Sequence, residues 1–215
     1  MPIMKGEDAE KEGVEEVAKL MLVSARTAPK SGGVDDIQTL LAMGEEKDAL
    51  AVEMEKVGGE RNIDGFKRDG RNVRDSQVVV LIGIRGTKKF GLNCGACGYR
   101  DCREFEEVGK KMGQDFIGPN CFLKALDMGI ALGSAAKIAM ELNVDNRIMY
   151  RIGVAAKRLG LLPESSVVMG IPLSAKGKSI YFDRPTKVER VPKGPKHPRC
   201  DGEVSRRGRR VASDH

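Results

Sequence analysis

Aromatic residues and histidine are scarce in this chain of 215 residues. It contains no tryptophan, and aromatic residues make up 4% of the sequence. That scarcity argues against a surface that stacks unpaired bases or sugars. The two histidines, His197 and His215, both lie beyond residue 184, so the part expected to fold has none. A hydrolase that activates serine or cysteine with histidine is thereby excluded.

A long uninterrupted apolar run is also missing. The longest apolar stretch, 122–142, is broken by four charged residues: Lys124, Asp127, Lys137 and Glu141. The amino terminus shows no basic and apolar signal segment. The sequence therefore predicts a cytoplasmic protein without a membrane span. Clustered cysteines in such a reducing compartment are more often metal ligands or redox groups than structural disulfides.

Positive charge is concentrated at the carboxyl end. The formal net charge is +6, and residues 185–215 hold nine Lys and Arg against four Asp and Glu, a balance of +5. Four prolines fall in the same segment, which has no apolar periodicity. This composition predicts a flexible basic tail that cannot bury enough surface to fold. A solvated tail is favoured over a nucleic-acid contact.

Hydrophobic periodicity predicts helices alternating with strands. Helices are expected over 8–27, 34–43, 45–57, 122–142 and 145–163, the last capped by Asp145, with a short helix after Cys102. Residues 60–75 form a polar segment rich in Arg, Asp and Gly, for which no helix or strand is expected. The helix 122–142 is apolar almost all round and should be buried. Strands are expected over 76–84, 166–173 and 179–183, so the class is mixed α and β.

Three cysteines fall within nine positions, in the stretch "NCGACGYRDC". Cys94, Cys97 and Cys102 follow the pattern C-x2-C-x4-C, and the two others are Cys121 and Cys200. Thiolates in a glycine-rich loop suit a soft metal. Zinc prefers two separated cysteine pairs, whereas a [4Fe-4S] cluster accepts three ligands from one loop and a distant fourth. Iron-sulfur is favoured over zinc, and a C-x2-C redox pair ranks last.

The cysteine stretch resembles a small iron-sulfur module of the form CGxCGxxxC followed by a distant cysteine. That module occurs in corrinoid iron-sulfur proteins and in the B subunit of Rnf-type electron-transport complexes. The resemblance implies a [4Fe-4S] cluster on Cys94, Cys97, Cys102 and Cys121. It leaves out Cys200 in the tail.

The rest of the chain resembles the nitroreductase family of flavoproteins. The segment "VSARTAPKSGGVDDIQ" is similar to that family's "AAxxAPSxxNxQPW" loop, and "LDMGIALGSAAKIAMELNV" and "LGLLPESSVVMGIP" are similar to its central helix and late strand. The resemblance implies an α+β, three-layer, nitroreductase-like domain over 1–184, with an iron-sulfur loop inserted at about 90–122. An uncharacterised family of ferredoxin-domain proteins in archaea and bacteria has this arrangement.

The same resemblance implies a homodimer that binds FMN at the subunit interface. Arg26, Pro29, Ser31 and Gly32 lie on the matching loop, and two basic residues, Lys178 and Arg184, lie where the family reaches the phosphate. The sequence departs from the family by lacking the amino-terminal "RRSxRxF" segment. Val34 and the pair Asp35-Asp36 also replace the family's Asn and Gln-Pro.

Three functions follow from these observations. The first is a flavin-dependent oxidoreductase in which the cluster exchanges electrons with FMN, with an electron donor or acceptor that the sequence does not identify. The second is a flavin-free electron-transfer or redox-sensing iron-sulfur protein, which the missing arginine segment favours. The third is a structural zinc site with a nucleic-acid-binding tail.

Overall fold

A four-stranded antiparallel sheet organises the protein. The structure is a computed structural model that describes residues 3–182. In spatial order the strands are β1, β2, β6 and β5, and the pairs are antiparallel, from Ile37 opposite Ile84 at one edge to Asp145 opposite Ser174 at the other. The strands are β1 (Ile37–Met43), β2 (Val78–Ile84), β5 (Asp145–Asn146) and β6 (Val167–Ser174).

Helices cover both faces of this sheet, which gives three layers. They are α1 (Gly6–Thr27), α2 (Gly44–Glu60), α3 (Asp64–Arg74), α5 (Phe122–Glu141) and α6 (Tyr150–Arg158). A short helix, α4 (Cys102–Glu107), lies between β2 and α5 in the chain and is not part of these layers. One core joins α1 and α5 to the sheet, and the other joins α2, α3 and α6 to the opposite face. Strand β2 lies between the two cores, and all seven of its residues are buried.

The buried face of α1 shows why this segment is a helix. Its buried residues recur three or four positions apart, so they line one side of the helix: Val14, Val17, Ala18, Met21 and Ala25. These are the residues that the periodicity predicts. Acidic residues in the first turn and Arg26 in the last also suit the helix dipole.

Residues 85–121 form a separate excursion between β2 and α5, which we call the insertion. It contains the short helix α4 and a two-stranded hairpin of β3 (Lys111–Met112) and β4 (Ile117–Gly118). Only Gly86, Phe105 and Cys121 are buried within it. The apolar spacing of Phe105, Val108 and Met112 predicts a helix that reaches Met112. Helix α4 ends earlier, at Glu107, and Met112 belongs to β3.

Several predicted elements are wrong. Residues 37–43 form strand β1 and not a helix, because they pair along their whole length with β2. The predicted helix over 145–163 is confined to α6, since Asp145 pairs with β6 and caps no helix. The polar segment 60–75 contains α3. Residues 179–182 form no strand, and α5 is exposed along one side.

Candidate metal centre

The cysteine loop leaves the sheet at the end of β2 and turns sharply around Cys97. Gly95 and Gly98, which flank it, have φ angles of 69° and 88°. Both angles lie in the left-handed region that a side chain disfavours, so these positions suit glycine. The Gly98 amide donates to the Gly95 carbonyl at 2.9 Å. The loop thus places Cys97 at the tip of a tight turn.

A reciprocal pair of hydrogen bonds closes the loop between Asn93 and Cys102. The Asn93 amide donates to Cys102 Sγ at 3.3 Å, and the Cys102 amide donates to Asn93 Oδ1 at 3.0 Å. Asp101 caps α4 by accepting from the amides of Arg103 and Glu104. These bonds, first of all that from Glu104, hold the pKa of Asp101 below its ordinary value. An amide directed at sulfur is the contact that stabilises a metal-bound thiolate.

The fourth cysteine lies at the base of the same loop. Cys121 is buried and directly precedes α5. Its amide donates to the Gly86 carbonyl at 2.8 Å, and Gly86 is the second residue after β2. The fold therefore connects Cys121 to the segment that leads to Cys94.

All four cysteines of the described chain are free thiols. Between residues 3 and 182, however, no three Cys, His, Asp or Glu side chains are grouped closely enough to hold a metal ion. The donor chemistry fits an iron-sulfur cluster, because four thiols are its ligands. A shared cluster requires the loop to close around it, as expected when metal binding is coupled to folding. The ligand set stays a prediction.

Two of the predicted flavin contacts are engaged by other protein groups. The Arg26 guanidinium pairs with the Asp35 carboxylate and donates to the Ile37 carbonyl at 3.0 Å. The backbone amide and the hydroxyl of Ser31 both donate to Asp127 Oδ1 at 2.8 Å. Neither side chain is directed toward an open cofactor site.

The remaining predicted flavin positions also differ from one another. A Cβ atom on Gly32 would lie 2.9 Å from Cζ of Phe90, so this ring from the insertion covers the glycine. Pro29 and Lys178 are exposed, and Arg184 lies outside the described residues. The loop that the resemblance assigns to FMN is thus packed against the insertion, and the residues present do not fit a flavin there.

A buried charged cluster lies under this contact. Lys124 is 1% exposed, and its Nζ lies 2.5 Å from Asp36 Oδ2 in an ion pair. Burial raises the pKa of Asp36, but the ammonium groups of Lys124 and Lys88 outweigh that effect and hold the pKa below its ordinary value. Lys124 Nζ also lies 5.5 Å from the centre of the Phe90 ring. Asp127 is likewise buried, and among residues 3–182 its Oδ2 has no hydrogen-bond partner.

Sequence reasoning did not assemble this cluster. Lys124 and Asp127 are charged residues within an apolar helix. In the sequence they indicate only that this helix does not span a membrane. Asp36 is visible there only as a departure from the nitroreductase pattern. The signal that could have connected them is charge at buried helical positions, since a buried charge needs a partner.

An apolar cavity of about 230 Å³ lies beside the Cys121 turn. Residues of β2, α5 and β6 line it, among them Ile84, Asn120, Met128, Val167 and Met169. It is smaller than the ~300 to 1,000 Å³ of most ligand pockets. One subunit therefore encloses only part of a flavin-sized group at this place.

Within residues 3–182, no helix has both the length and the apolarity to cross a membrane. The cytoplasmic location stays a prediction, and the basic tail and Cys200 lie outside the described residues.

Comparison with known proteins identifies relatives for both parts of the site. A family model described as an uncharacterised protein containing a ferredoxin domain matches residues 117–184. A second, described as "Putative Fe-S cluster", matches residues 91–108. An uncharacterised protein of Archaeoglobus fulgidus is 49% identical over 187 residues, 86% of this chain and 99% of that protein. The two models together cover all four candidate cysteines.

Solved structures resemble the fold. The nitroreductase CinD from Lactococcus lactis, in complex with chloramphenicol, superposes with a TM-score of 0.52 at 15% identity, over 80% of this chain and 82% of that chain. The NADPH:FMN oxidoreductase from Vibrio harveyi complexed with NAD+ gives 0.48 at 13% identity, over 87% and 66%. The expected α+β fold of the nitroreductase type is confirmed.

Proposed function

The chain belongs to the family of uncharacterised proteins that contain a ferredoxin domain, and we propose that it is a flavin-free, [4Fe-4S]-type redox protein. Cys94, Cys97, Cys102 and Cys121 are the proposed ligands. One observation carries the proposal: the three-cysteine loop and the Cys121 turn are joined at Gly86 by a 2.8 Å hydrogen bond. The three thiols of the loop and the thiol of Cys121, which lies further along the chain, thus belong to one structural unit.

The residues of the insertion have distinct roles in this proposal. When bound, the cluster supplies the uptake and release of single electrons. Asn93 stabilises the thiolate of Cys102 through its amide. Phe90 covers Gly32 and so packs the start of the loop on the body of the protein. Cys121 is buried, which keeps water from one side of the site.

Two observations support a function without flavin. Arg26 and Ser31, which the nitroreductase resemblance assigns to the flavin, contact Asp35 and Asp127 instead. Phe90 covers Gly32, which the same resemblance assigns to the flavin. Electron transfer and redox sensing need only the cluster, and both agree with this arrangement.

Flavin coupling is the second candidate. The observation that favours it is the apolar cavity that Asn120 helps to line. Asn120 directly precedes Cys121, so a flavin in this cavity would lie next to a proposed ligand of the cluster. A flavin there would contact the Cys121 turn and not the Arg26 to Gly32 loop. A second subunit would have to complete the cavity, because one subunit offers about 230 Å³.

A homodimer is proposed on the exposed side of α5. Phe122, Leu126 and Ile130 recur every four residues there and are all exposed, and Leu20 and Val23 of α1 are exposed as well. Apolar side chains at this spacing form a stripe that a second copy of the chain would bury. The replacement of Leu126 and Ile130 by lysine should give monomers in light scattering after size exclusion. Lysine at the exposed Val52 of α2 should leave the dimer intact, and a monomeric wild type would contradict the proposal.

Elemental and spectroscopic analysis of anaerobically purified protein tests the main proposal. Iron and sulfide should each be present at about four per chain, with no flavin released on denaturation. Reduction should produce the paramagnetic signal of a [4Fe-4S] cluster. Stoichiometric FMN would favour the second candidate, and zinc without iron or sulfide would contradict both.

A further inference from the structure

We propose that Ser166 is a positioning residue for the iron-sulfur cluster. Its hydroxyl fixes the turn that carries Cys121, although Ser166 itself is distant in sequence and carries no ligand. This inference rests on the proposed role of Cys121 as a ligand.

The Ser166 hydroxyl joins three segments of the chain. It accepts from the Gly86 amide at 2.8 Å, and its single proton is directed to Asn120 Oδ1 at 2.5 Å or to the Ile84 carbonyl at 3.0 Å. Ser166 is 1% exposed, so water does not compete for these bonds. Its hydroxyl is therefore the common partner of the end of β2, the base of the cysteine loop and the residue before Cys121.

The turn is closely packed where these bonds meet. A Cβ atom on Gly86 would lie 2.3 Å from Asn120 Oδ1 and 2.9 Å from Ser166 Oγ. Asn120 also donates from Nδ2 to the Ile117 carbonyl at 2.8 Å, which fixes the other side of its amide. Because the atoms around it are closely packed, the Asn120 side chain is held in one orientation. The position of the adjacent Cys121 is then fixed through the backbone.

The backbone bonds of Ser166 do not depend on its hydroxyl. Its amide donates to the Ile84 carbonyl at 2.8 Å, and the Ile117 amide donates to its carbonyl at 3.0 Å. Replacement by alanine keeps both bonds and removes only the contacts of the hydroxyl. Ser166→Ala should consequently fold.

The neighbouring residue provides a matched control. Ser165 is 0% exposed, and its hydroxyl donates to Gln38 Oε1 at 2.6 Å. Gln38 belongs to β1, and its side chain bonds to Glu164 and Ser165. Ser165→Ala thus removes a buried hydroxyl with one short hydrogen bond from the adjacent position while leaving the turn unchanged.

The test compares loss of iron with stability of the fold. Wild type, Ser166→Ala, Ser165→Ala and Asn120→Ala are purified anaerobically, and the rate of iron release to a ferrous chelator is measured well below the unfolding temperature. Thermal unfolding of the iron-free proteins is recorded in parallel, together with the electron paramagnetic resonance spectrum of each reduced, iron-loaded protein.

Both serine variants should lower the unfolding temperature of the iron-free protein, Ser166→Ala by the larger amount because its hydroxyl both accepts and donates a hydrogen bond. Only Ser166→Ala and Asn120→Ala should release iron faster than wild type, by about five- to tenfold, as expected from the loss of one buried hydrogen bond. They should also change the cluster spectrum. In the double variant the two effects should be less than additive, because both remove the same contact.

Equal iron-release rates for Ser166→Ala and Ser165→Ala would overturn the role of Ser166. A wild type that contains neither iron nor sulfide would contradict the proposed function itself and remove this inference with it. The two failures are therefore distinguishable in the same experiment.

Discussion

Strand β2 and the insertion that follows it are held in different ways. All seven residues of β2 are buried between two apolar cores. In the insertion, three residues of 85–121 are buried, and Phe105 is the only large apolar one. Segments of this size rarely build a core, and below about 40 residues metals or disulfides usually replace one. From this comparison we infer that the proposed cluster would serve as the missing core of the insertion.

Two of the polar contacts that attach the insertion to the body of the protein meet at Asp115. The Tyr150 hydroxyl donates to Asp115 Oδ2 at 2.6 Å, and Arg61 lies 2.5 Å from Asp115 Oδ1. Burial and the hydrogen bond to Asp115 raise the pKa of Tyr150 to about 12. On the other side of the insertion, Phe90 contacts the loop at Gly32, and Lys124 of α5 lies over the Phe90 ring. These contacts hold the edges of the insertion, whereas Cys94, Cys97 and Cys102 lie in its exposed loop.

The largest effect should follow removal of a ligand. Cys121→Ser should lose most of the iron and leave the insertion open to proteolysis, because metal binding is expected to be coupled to the folding of the insertion. The far-ultraviolet circular dichroism of the body should stay close to that of wild type. Cys200→Ser is the control and should keep full iron. If Cys121→Ser retains full iron and Cys200→Ser loses it, the ligand set is wrong.

The second-largest effect should follow removal of the Lys124 charge at the junction, by which we mean the contact of Phe90 and Lys124 with the segment Gly32 to Asp36. Lys124→Met leaves the buried carboxylate of Asp36 without its closest cation, which should lower the free energy of unfolding by about 3 to 5 kcal/mol. Lys137→Met removes an exposed partner of Glu141 on the same helix and should cost less than about 1 kcal/mol. Urea unfolding measures both values. Equal, small losses would mean that the Lys124 ion pair is not essential for the junction.

Two leucine truncations compare the body with the insertion directly. Leu81 in β2 is 0% exposed and Leu92 in the cysteine loop is 60% exposed. Leu81→Ala should lower the free energy of unfolding by about 2 to 5 kcal/mol. Leu92→Ala should change it by less than about 0.5 kcal/mol. A large loss of stability in Leu92→Ala would mean that the insertion has an apolar core of its own, which would contradict the comparison.

The smallest effect should come from the Tyr150 contact. Tyr150→Phe should lower the free energy of unfolding by about 1 kcal/mol near neutral pH, because one hydrogen bond to Asp115 is lost. The folded pKa of about 12 lies above the unfolded value of 10.0, so wild type should lose this advantage as pH rises from about 10 to 12. Unfolding curves over that range check it, and an unchanged difference between the two proteins would contradict the pKa shift.

The sequence predicts local features better than contacts between distant segments. The α1 face and the buried β2 run follow from periodicity alone, and the cysteine spacing indicates a metal loop. The helix predicted for residues 37–43 is wrong because these residues pair with β2, and this pairing outweighs their local helical spacing. Asp145 fails in the same way, since its pairing with Ser174 is non-local. The ion pair of Asp36 with Lys124 could not be predicted because it joins two segments far apart in the chain.

Hydrogen exchange of the iron-loaded and iron-stripped protein tests whether the proposed cluster orders the insertion. Removal of iron under anaerobic conditions should increase amide exchange across 85–121 while the amides of β2 and β6 stay protected. Equal protection of the insertion in both forms would contradict it, because the insertion would then be ordered without the cluster.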